Sequence, residues 1–147
     1  MLKINRKLEY ALISLKYLIN LKPGQRASAN EICETFHIPF DPTSRVLQIM
    51  VKKNLLRSEH GTLGGYQISK DLSKVSFLEL SEMILGKTAL ARCISGKSCS
   101  HQKKCNIVTP VNKIHQQIVH LLSQLNLQHI LEQQENLENP IEAAIHG

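Results

Sequence analysis

The sequence of 147 residues contains no long hydrophobic run, and none of its apolar stretches approaches the roughly eighteen residues that a membrane span needs. Its first residues are charged and then amphipathic, and they lack the apolar region and the small-residue cleavage site of a signal peptide. With 42% hydrophobic and 20% charged residues, the composition is that of a globular chain, and the length favours one compact domain with an appendage. We therefore expect a cytoplasmic protein with no membrane partner.

The sequence also lacks the GxGxxG and GxxxxGK[ST] patterns that cradle the phosphates of nucleotides. It shows no nucleophile, base and orienting group arranged for catalysis, so we expect no enzyme and no catalytic residues. Positive charge is missing from the C-terminal part, where no Lys or Arg follows Lys113. Residues 1–92 hold fourteen Lys and Arg against eight Asp and Glu. This asymmetry favours a nucleic acid bound by the N-terminal part, although a solvated basic face without a partner explains the charge equally well.

Three cysteines, Cys93, Cys99 and Cys105, follow one another at six-residue intervals among glycine, serine and lysine residues. In a reducing compartment they are not expected to form disulfides, and thiolates are the ligands that iron–sulfur clusters and zinc select. A cluster or tetrahedral zinc needs a fourth ligand, from a distant residue, a partner chain or a small molecule. Three ordinary cysteines in a mobile loop are the alternative. Cys33 lies far from the others and is predicted to lie in the core.

Apolar residues at helical spacing predict a first core helix that ends at Pro23 and Gly24, and a capping box opens a second at Ser28. After a tight connector, Asp41 as N-cap and Pro42 at the first helical position predict a third helix, to about Lys53. Two short helices joined in this way form a helix-turn-helix, whose second helix presents its first residues to the major groove. The candidate DNA-contacting residues, which solvated polar positions would equally explain, are Thr43, Ser44, Arg45 and Gln48.

Two strand-like runs then flank a glycine-rich turn at residues 59–65, which predicts a β-hairpin. After a helix-turn-helix such a hairpin is a wing. Arg57 at its base and His60 near its tip are candidates for contacts with the DNA backbone or minor groove.

A second capping box at Ser76 predicts a helix that Gly86 ends, and the cysteine loop follows. Beyond the loop, apolar residues recur with an average period of 3.5, at Ile107, Val111, Ile114, Ile118, Leu121 and Leu125. Such a seam favours a dimerisation helix over a core helix. From about Gln133 the chain is polar and acidic, and we expect a flexible tail.

Together these residues resemble the IscR/NsrR-type winged-helix iron–sulfur regulators of bacteria, and among them most of all the regulator of the SUF cluster-assembly system. The likeness covers residues 1 to about 131. It rests on Met1 to Ile4, on Glu9 to Leu12, on the wing residues Arg57, Ser58, Gly61, Gly64, Gly65 and Tyr66, on the helix from Ser76 to Gly86, and on the cysteine triplet. In similar proteins the triplet holds a 2Fe-2S or 4Fe-4S cluster, the long helix pairs two chains, and the state of the cluster changes operator affinity.

The sequence departs from this family in two places. Some relatives use a histidine three residues past the last cysteine as a ligand, but this chain has Val108 there. Relatives that sense nitric oxide use an acidic residue in the first helix of the partner subunit, and Glu9 matches it; we therefore nominate Glu9 as fourth ligand, with His101 as the second choice. The usual arginine at the wing tip is replaced by His60.

The sequence thus predicts a mainly α (α+β) fold with a winged helix-turn-helix domain at 1–86, a cluster-binding loop at 87–106, a dimerisation helix at 107–132 and a flexible tail at 133–147. The predicted function is that of a homodimeric repressor that binds a double-stranded DNA operator under the control of an iron–sulfur cluster and regulates cluster-assembly genes. Two alternatives keep this fold: a regulator that responds to nitric oxide or to redox state, and a regulator in which structural zinc replaces the cluster.

Overall fold

The computed structural model describes residues 4–87, 89, 91 and 94–132. In this part of the chain the helices and strands follow in the order α1 (Arg6–Ile19), α2 (Ala29–Phe36), α3 (Phe40–Lys52), β1 (Leu56–Glu59), β2 (Gly65–Ile68), α4 (Phe77–Leu85), α5 (Val108–Gln124) and α6 (Leu127–Glu132). Two short 3-10 helices lie at Leu72–Lys74 and Gln102–Lys104. None of the described helices is long and apolar enough to cross a bilayer. Helices with one small antiparallel sheet agree with the predicted fold class.

Helix α1 lies at the centre of the core and packs against α2, α3, α4, α6 and β2. Its inner side follows the predicted helical spacing, because Leu8, Ala11, Leu15 and Leu18 are all buried. Cys33 of α2 is buried as well, which confirms the prediction that this cysteine belongs to the core.

Both predicted capping boxes are confirmed. At the start of α2 the backbone N–H of Glu31 donates to the Ser28 hydroxyl at 3.1 Å, and the Glu31 carboxylate accepts from the Ser28 N–H. The start of α4 repeats this exchange between Ser76 and Glu79. Gly86 ends α4 with a φ of 79° and a ψ of 177°, a positive-φ conformation that glycine adopts at low cost.

The start of α3 differs from the prediction. The helix begins at Phe40, and Pro39 occupies the N-cap position without a side-chain cap, so that Asp41 and Pro42 lie inside the first turn. Proline is tolerated there because the first N–H groups of a helix have no intrahelical acceptor. His37, at a φ of 52°, ends α2 and leaves only a short connector before α3.

The predicted wing is present. Strands β1 and β2 pair antiparallel, with Leu56 opposite Ile68 and Glu59 opposite Gly65. Near the turn, an isolated bridge adds a third segment to this hairpin: Ala27 and Tyr66 exchange backbone hydrogen bonds of 2.8 and 3.2 Å. Strand β1 also packs against α3, so the wing and the second helix of the helix-turn-helix belong to one body.

The segment 107–132 was predicted to be one dimerisation helix, but it consists of two helices. Helix α5 ends at Gln124, because the backbone at Leu125 and Leu127 pairs with another part of the chain: the N–H of Phe77 donates to Leu125 O at 2.7 Å, and the N–H of Leu127 donates to Val75 O at 2.8 Å. This exchange needs extended backbone, which interrupts the helix. Helix α6 then returns to the core and buries Leu127 and Leu131 beside α1.

Candidate nucleic-acid interface and cysteine loop

The outward side of α3 is polar at its N-terminal end. Arg45 and Gln48 are exposed and Ser44 is half-buried. On the opposite side Val46, Leu47 and Met50 are buried in the core, which fixes the direction in which the polar side chains point. Three of the four predicted DNA-contacting residues of this helix therefore share an accessible surface.

Thr43, the fourth, does not lie on that surface, and its predicted position outside the core is wrong. It is fully buried, and its hydroxyl donates to the Pro39 carbonyl oxygen at 2.7 Å. Thr43 precedes Val46, Leu47 and Met50 by three, four and seven residues, so it shares their helix face. A threonine hydroxyl can satisfy itself on the carbonyl four residues earlier, and this signal could have been found in the sequence.

On the wing, Arg57 is exposed and lies opposite Gln67. Its Nη2 donates to the side-chain oxygen of Gln67 at 2.9 Å, and its Nε donates to the same atom at 3.2 Å. This cross-strand contact holds the guanidinium on the outer side of the hairpin. His60, directly after β1, is exposed at the start of the turn.

Arg26, which no sequence pattern marked as a candidate, braces the wing from the loop before α2. Its guanidinium donates to the Glu59 carboxylate at 2.6 Å, which places a cation beside the acidic residue of β1. The neighbouring Tyr66 adds no charge, since a phenol is neutral near pH 7 and burial raises its pKa further. Negative charge that would repel a polyanion is therefore limited on this side of the hairpin.

Lys7 is a second residue that sequence analysis missed. Together with Asp41, Arg45 and apolar residues of α3, it lines a cavity of about 260 Å³ between the starts of α1 and α3. The cavity brings two cations and the Asp41 carboxylate together beside the accessible surface of α3, so one positive charge is in excess. Only the packing of α1 on α3 creates this proximity, since the two residues lie far apart in sequence.

The cysteine loop is described only in part. Cys93 lies outside the described residues, whereas Cys99 and Cys105 are both half-buried. Around them Lys97, Lys103 and Lys104 are exposed. Among the residues described, no three His, Cys, Asp or Glu side chains are grouped closely enough to hold a metal ion. The donor chemistry of the two described thiols suits a soft metal centre, but a complete ligand set requires Cys93 or a second chain.

The nominated fourth ligand, Glu9, lies in the first turn of α1 with about a third of its side chain exposed. Its carboxylate accepts a hydrogen bond from the Arg6 guanidinium at 3.2 Å. Exposed pairs of this kind are weak, so Glu9 remains available to a ligand. His101, the second choice, is exposed beside the short 3-10 helix of the loop.

Helix α5 is unlike the other long helices because none of its residues is buried. It packs against α4, yet large apolar side chains on its free side stay open to solvent: Ile107 is 56% exposed, Ile114 51% and Leu121 56%. These three positions are seven residues apart, so they form one row along the helix.

The sequence model of the Rrf2 family, whose members are described as iron-dependent transcriptional regulators, matches residues 4–133. The chain belongs to the Rrf2 family. It is thus a transcriptional regulator with the winged-helix fold that the sequence predicted, and its relatives in the family are regulators and not enzymes. Among the curated proteins, it is 22% identical over 138 residues to a Lactococcus lactis protein named as the HTH-type transcriptional regulator YffB, covering 90% of this chain and 88% of that one.

Solved structures share the Rrf2 fold with this chain. CymR (YrzC), the global cysteine regulator of B. subtilis, has a TM-score of 0.72 at 16% identity, with 92% of this chain and 100% of that chain covered. The oxidized form of CymR from Staphylococcus aureus has a TM-score of 0.67 at 19% identity and covers 91% and 99%. IscR of T. potens has a TM-score of 0.65 at 17% identity and covers 89% and 87%. At these identities the likeness concerns the fold alone.

In the Rrf2 fold of this chain the wing packs against α3, which carries three of the predicted DNA-contacting residues on its outward side. Lys7 lies beside α3, and Arg26 lies beside the wing. The fold removes Thr43 from the candidate DNA-contacting residues.

Proposed function

We propose that this Rrf2 protein is a homodimeric repressor that acts in the cytoplasm, binds a double-stranded DNA operator through two winged helices and loses or gains DNA affinity with the state of an iron–sulfur cluster. Cys93, Cys99 and Cys105 hold the cluster, which is of the 2Fe-2S or 4Fe-4S type, and Glu9 of a second copy of the chain completes it. The controlled genes are those of iron–sulfur cluster assembly, in line with the likeness to the regulator of the SUF system.

The observation that carries the DNA-binding part is the accessible polar end of α3 on a body that also holds the wing. Ser44, Arg45 and Gln48 offer hydrogen bonds to base edges and phosphates. Arg57 on the wing and Lys7 beside α3 add positive charge on the same body. The phosphate contacts supply affinity, and the α3 contacts supply sequence preference.

The uncovered row of α5 supports the homodimer. A monomer that leaves Ile107, Ile114 and Leu121 in water forgoes the burial of three large side chains on one line. A second α5 can cover them, because the seam is self-complementary about a two-fold axis. Pairing two chains then presents two α3 helices to two half-sites of an operator.

The chemistry of the loop supports the cluster. The side chains of Cys99 and Cys105 are partly accessible, and exposed lysines nearby offset the negative charge that a thiolate-bound cluster carries. When bound, the cluster supplies a cross-link among the thiolates that depends on iron supply and on oxidation. The chain itself contributes the loop that can tighten or relax around it.

Helix α4 connects this loop to α3. The loop joins the end of α4 to the start of α5, while the bridge between Ser76 and Asn126 joins the start of α4 to the end of α5. We infer that a change in the loop shifts the end of α4 relative to the start of α5, while the bridge holds their other ends together. Since α4 packs against both α1 and α3, such a shift alters how the two α3 helices of a dimer are spaced, and an operator of fixed half-site separation responds with a change in affinity.

DNA binding is tested with a labelled duplex that the wild-type protein selects from a random-sequence pool. Affinity should fall steeply with added salt, and Arg45→Ala should weaken binding about ten-fold or more, because one charged contact to DNA is lost. Lys52→Ala is the matched control, since Lys52 is an exposed cation at the other end of α3. Selection of no duplex, or equal losses in both variants, would contradict the proposed interface.

The cluster is tested by anaerobic purification with absorbance spectra and analysis of iron and sulfide. A brown protein is expected, and Glu9→Ala should change the spectrum or lower the cluster content. Glu34→Ala, which removes an exposed carboxylate from α2, is the control. A colourless protein with stoichiometric zinc would replace the sensor by a structural zinc site. Addition of nitric oxide to the brown protein, followed by DNA binding, tests the nitric-oxide alternative.

A thiol switch is the remaining alternative, and the partial exposure of Cys99 and Cys105 favours it over an inert role for these cysteines. An oxidized form of the structural neighbour CymR from Staphylococcus aureus has been solved. In this case the purified protein contains neither iron nor zinc, and oxidant changes DNA binding of the wild type but not of Cys99→Ser or Cys105→Ser.

A further inference from the structure

The wing carries an apolar side chain at its tip that the proposed contacts do not use. Leu63 is 89% exposed, whereas no other large hydrophobic side chain in the described part of the chain exceeds 56%. It lies in the turn between β1 and β2 and is flanked by Thr62, which is also exposed. The apolar group therefore stands at the far end of a polar hairpin.

The turn holds Leu63 in this position because its backbone is tightly closed. The N–H of Gly64 donates to the Gly61 carbonyl oxygen at 3.0 Å. A Cβ atom at residue 64 would lie 2.3 Å from the Glu59 carbonyl oxygen, so only glycine fits. The turn therefore has one compact backbone arrangement, and Leu63 precedes its most constrained residue.

The strand ends next to the turn are braced as well. A Cβ atom at Gly65 would lie 2.7 Å from the Ala27 carbonyl carbon and oxygen, which shows how closely the hairpin passes the loop before α2. The ion pair between Arg26 and Glu59, at 2.6 Å, ties the same two segments together. The contacts with the loop before α2 thus lie beside the turn and restrain the strand ends from which it projects. Leu63 lies three residues before Tyr66, outside the paired part of the hairpin and open to solvent.

We propose that Leu63 is a wedge that enters the minor groove of duplex DNA and partly unstacks one base step. The inference rests on the proposed DNA-binding function and deepens it. Apolar side chains on minor-groove binders act in this way, and the sugar edges and exposed base faces are the apolar surfaces that DNA offers. Flexible pyrimidine–purine steps unstack most easily, so Leu63 contributes a preference for such a step outside the sequence that α3 reads.

The test compares Leu63→Ser with Leu63→Met on the duplex that the wild type selects. Leu63→Ser should weaken binding about ten-fold, because one well-buried side chain at an interface accounts for a loss of this size. Leu63→Met, which keeps the apolar bulk, should bind within about two-fold of the wild type. The slope of affinity against salt should be the same in all three proteins, because leucine contacts no phosphate.

A second readout reports the unstacking itself. The fluorescent base 2-aminopurine, moved step by step through the selected duplex, should brighten at one step when wild type or Leu63→Met binds and should stay dim with Leu63→Ser. Thr62→Ala changes the same turn and should leave this signal unchanged. The melting temperature of all variants should equal that of the wild type, because Leu63 makes no core contact.

Two kinds of failure are distinguishable. If the wild type binds the duplex, Arg45→Ala binds it poorly and Leu63→Ser binds it as well as the wild type, the wedge is overturned while the proposed function stands. The wedge is also overturned if Leu63→Ser loses affinity without any change in the 2-aminopurine signal, since Leu63 then acts elsewhere, for example on a protein partner. A wild type that binds no duplex overturns both the wedge and the proposed function.

Discussion

Helices α1 and α5 are the two longest in the described part of the chain, but they are stabilised in different ways. Helix α1 packs against α2, α3, α4, α6 and β2 and buries five residues. Helix α5 buries none and leaves an apolar row exposed to solvent. Helix α6 follows α5 directly, yet it packs against α1 and buries Leu127 and Leu131. The difference shows that the chain divides at Leu125 into a part that completes its own core and a helix that needs another surface.

Leu127→Ala and Leu125→Ala test that division with two leucines that are two residues apart. Leu127 is fully buried and Leu125 is 38% exposed. Leu127→Ala should lower the free energy of unfolding by about 2–5 kcal/mol, because it leaves a cavity in the core. Leu125→Ala should cost under about 1.5 kcal/mol, since part of its surface is already in water. Urea denaturation measures both free energies of unfolding. Equal losses in the two variants would mean that α6 does not pack into the core.

Leu121→Asp tests whether the row on α5 is an interface between two copies. A carboxylate in a paired apolar seam should weaken association by about 100-fold or more, because it would be buried without a partner. Gln116→Asp adds the same charge on the opposite side of α5 and should leave the dimer intact. Sedimentation at several concentrations reports the change, with circular dichroism as the check on folding. A wild type that sediments as a monomer would remove the seam from the proposal.

Thr43→Val and Ser44→Ala compare a buried residue with a neighbouring candidate for DNA contact within a single turn of α3. Thr43→Val keeps the volume but removes the hydrogen bond to Pro39, and we expect it to lower the free energy of unfolding by about 0.5–1.5 kcal/mol with unchanged DNA affinity. Ser44→Ala should change stability by less than about 0.5 kcal/mol but weaken binding to the selected duplex. Thermal denaturation and DNA titration separate the two. Weaker DNA binding by Thr43→Val at full stability would restore Thr43 to the interface.

Local signals in the sequence predicted much of the body. Ser28 and Ser76 cap their helices through residues only three positions away, and the hairpin follows from glycines within one short turn. In each case the partners are close in sequence, so pattern and geometry coincide. The burial of Thr43 could have been predicted from a local signal as well, since its spacing from Val46, Leu47 and Met50 places it on the buried face of α3.

The end of α5 could not be predicted in this way. The apolar period continues without interruption to Leu125, and the helix stops there only because Phe77 and Val75, about fifty residues earlier, pair with its backbone. Lys7 and Arg26 were missed for the same reason, because their partners are brought close by packing and not by spacing. The ligand set of the cysteine loop stays a prediction, since Cys93 lies outside the described residues.

Arg6→Gln should have the smallest effect, and it determines how a loss of the cluster in Glu9→Ala can be interpreted. The Arg6 side chain is about three-quarters exposed, so removal of its ion pair with Glu9 should change the free energy of unfolding by less than about 0.5 kcal/mol. If the melting temperature is unchanged, the pair does not hold α1 together, and a loss of cluster in Glu9→Ala reflects a missing ligand. Cluster content should stay at the wild-type level in Arg6→Gln, because the carboxylate is still present and has lost only a competing partner. A cluster lost equally from both variants would mean that the ion pair, and not the carboxylate as a ligand, supports the site.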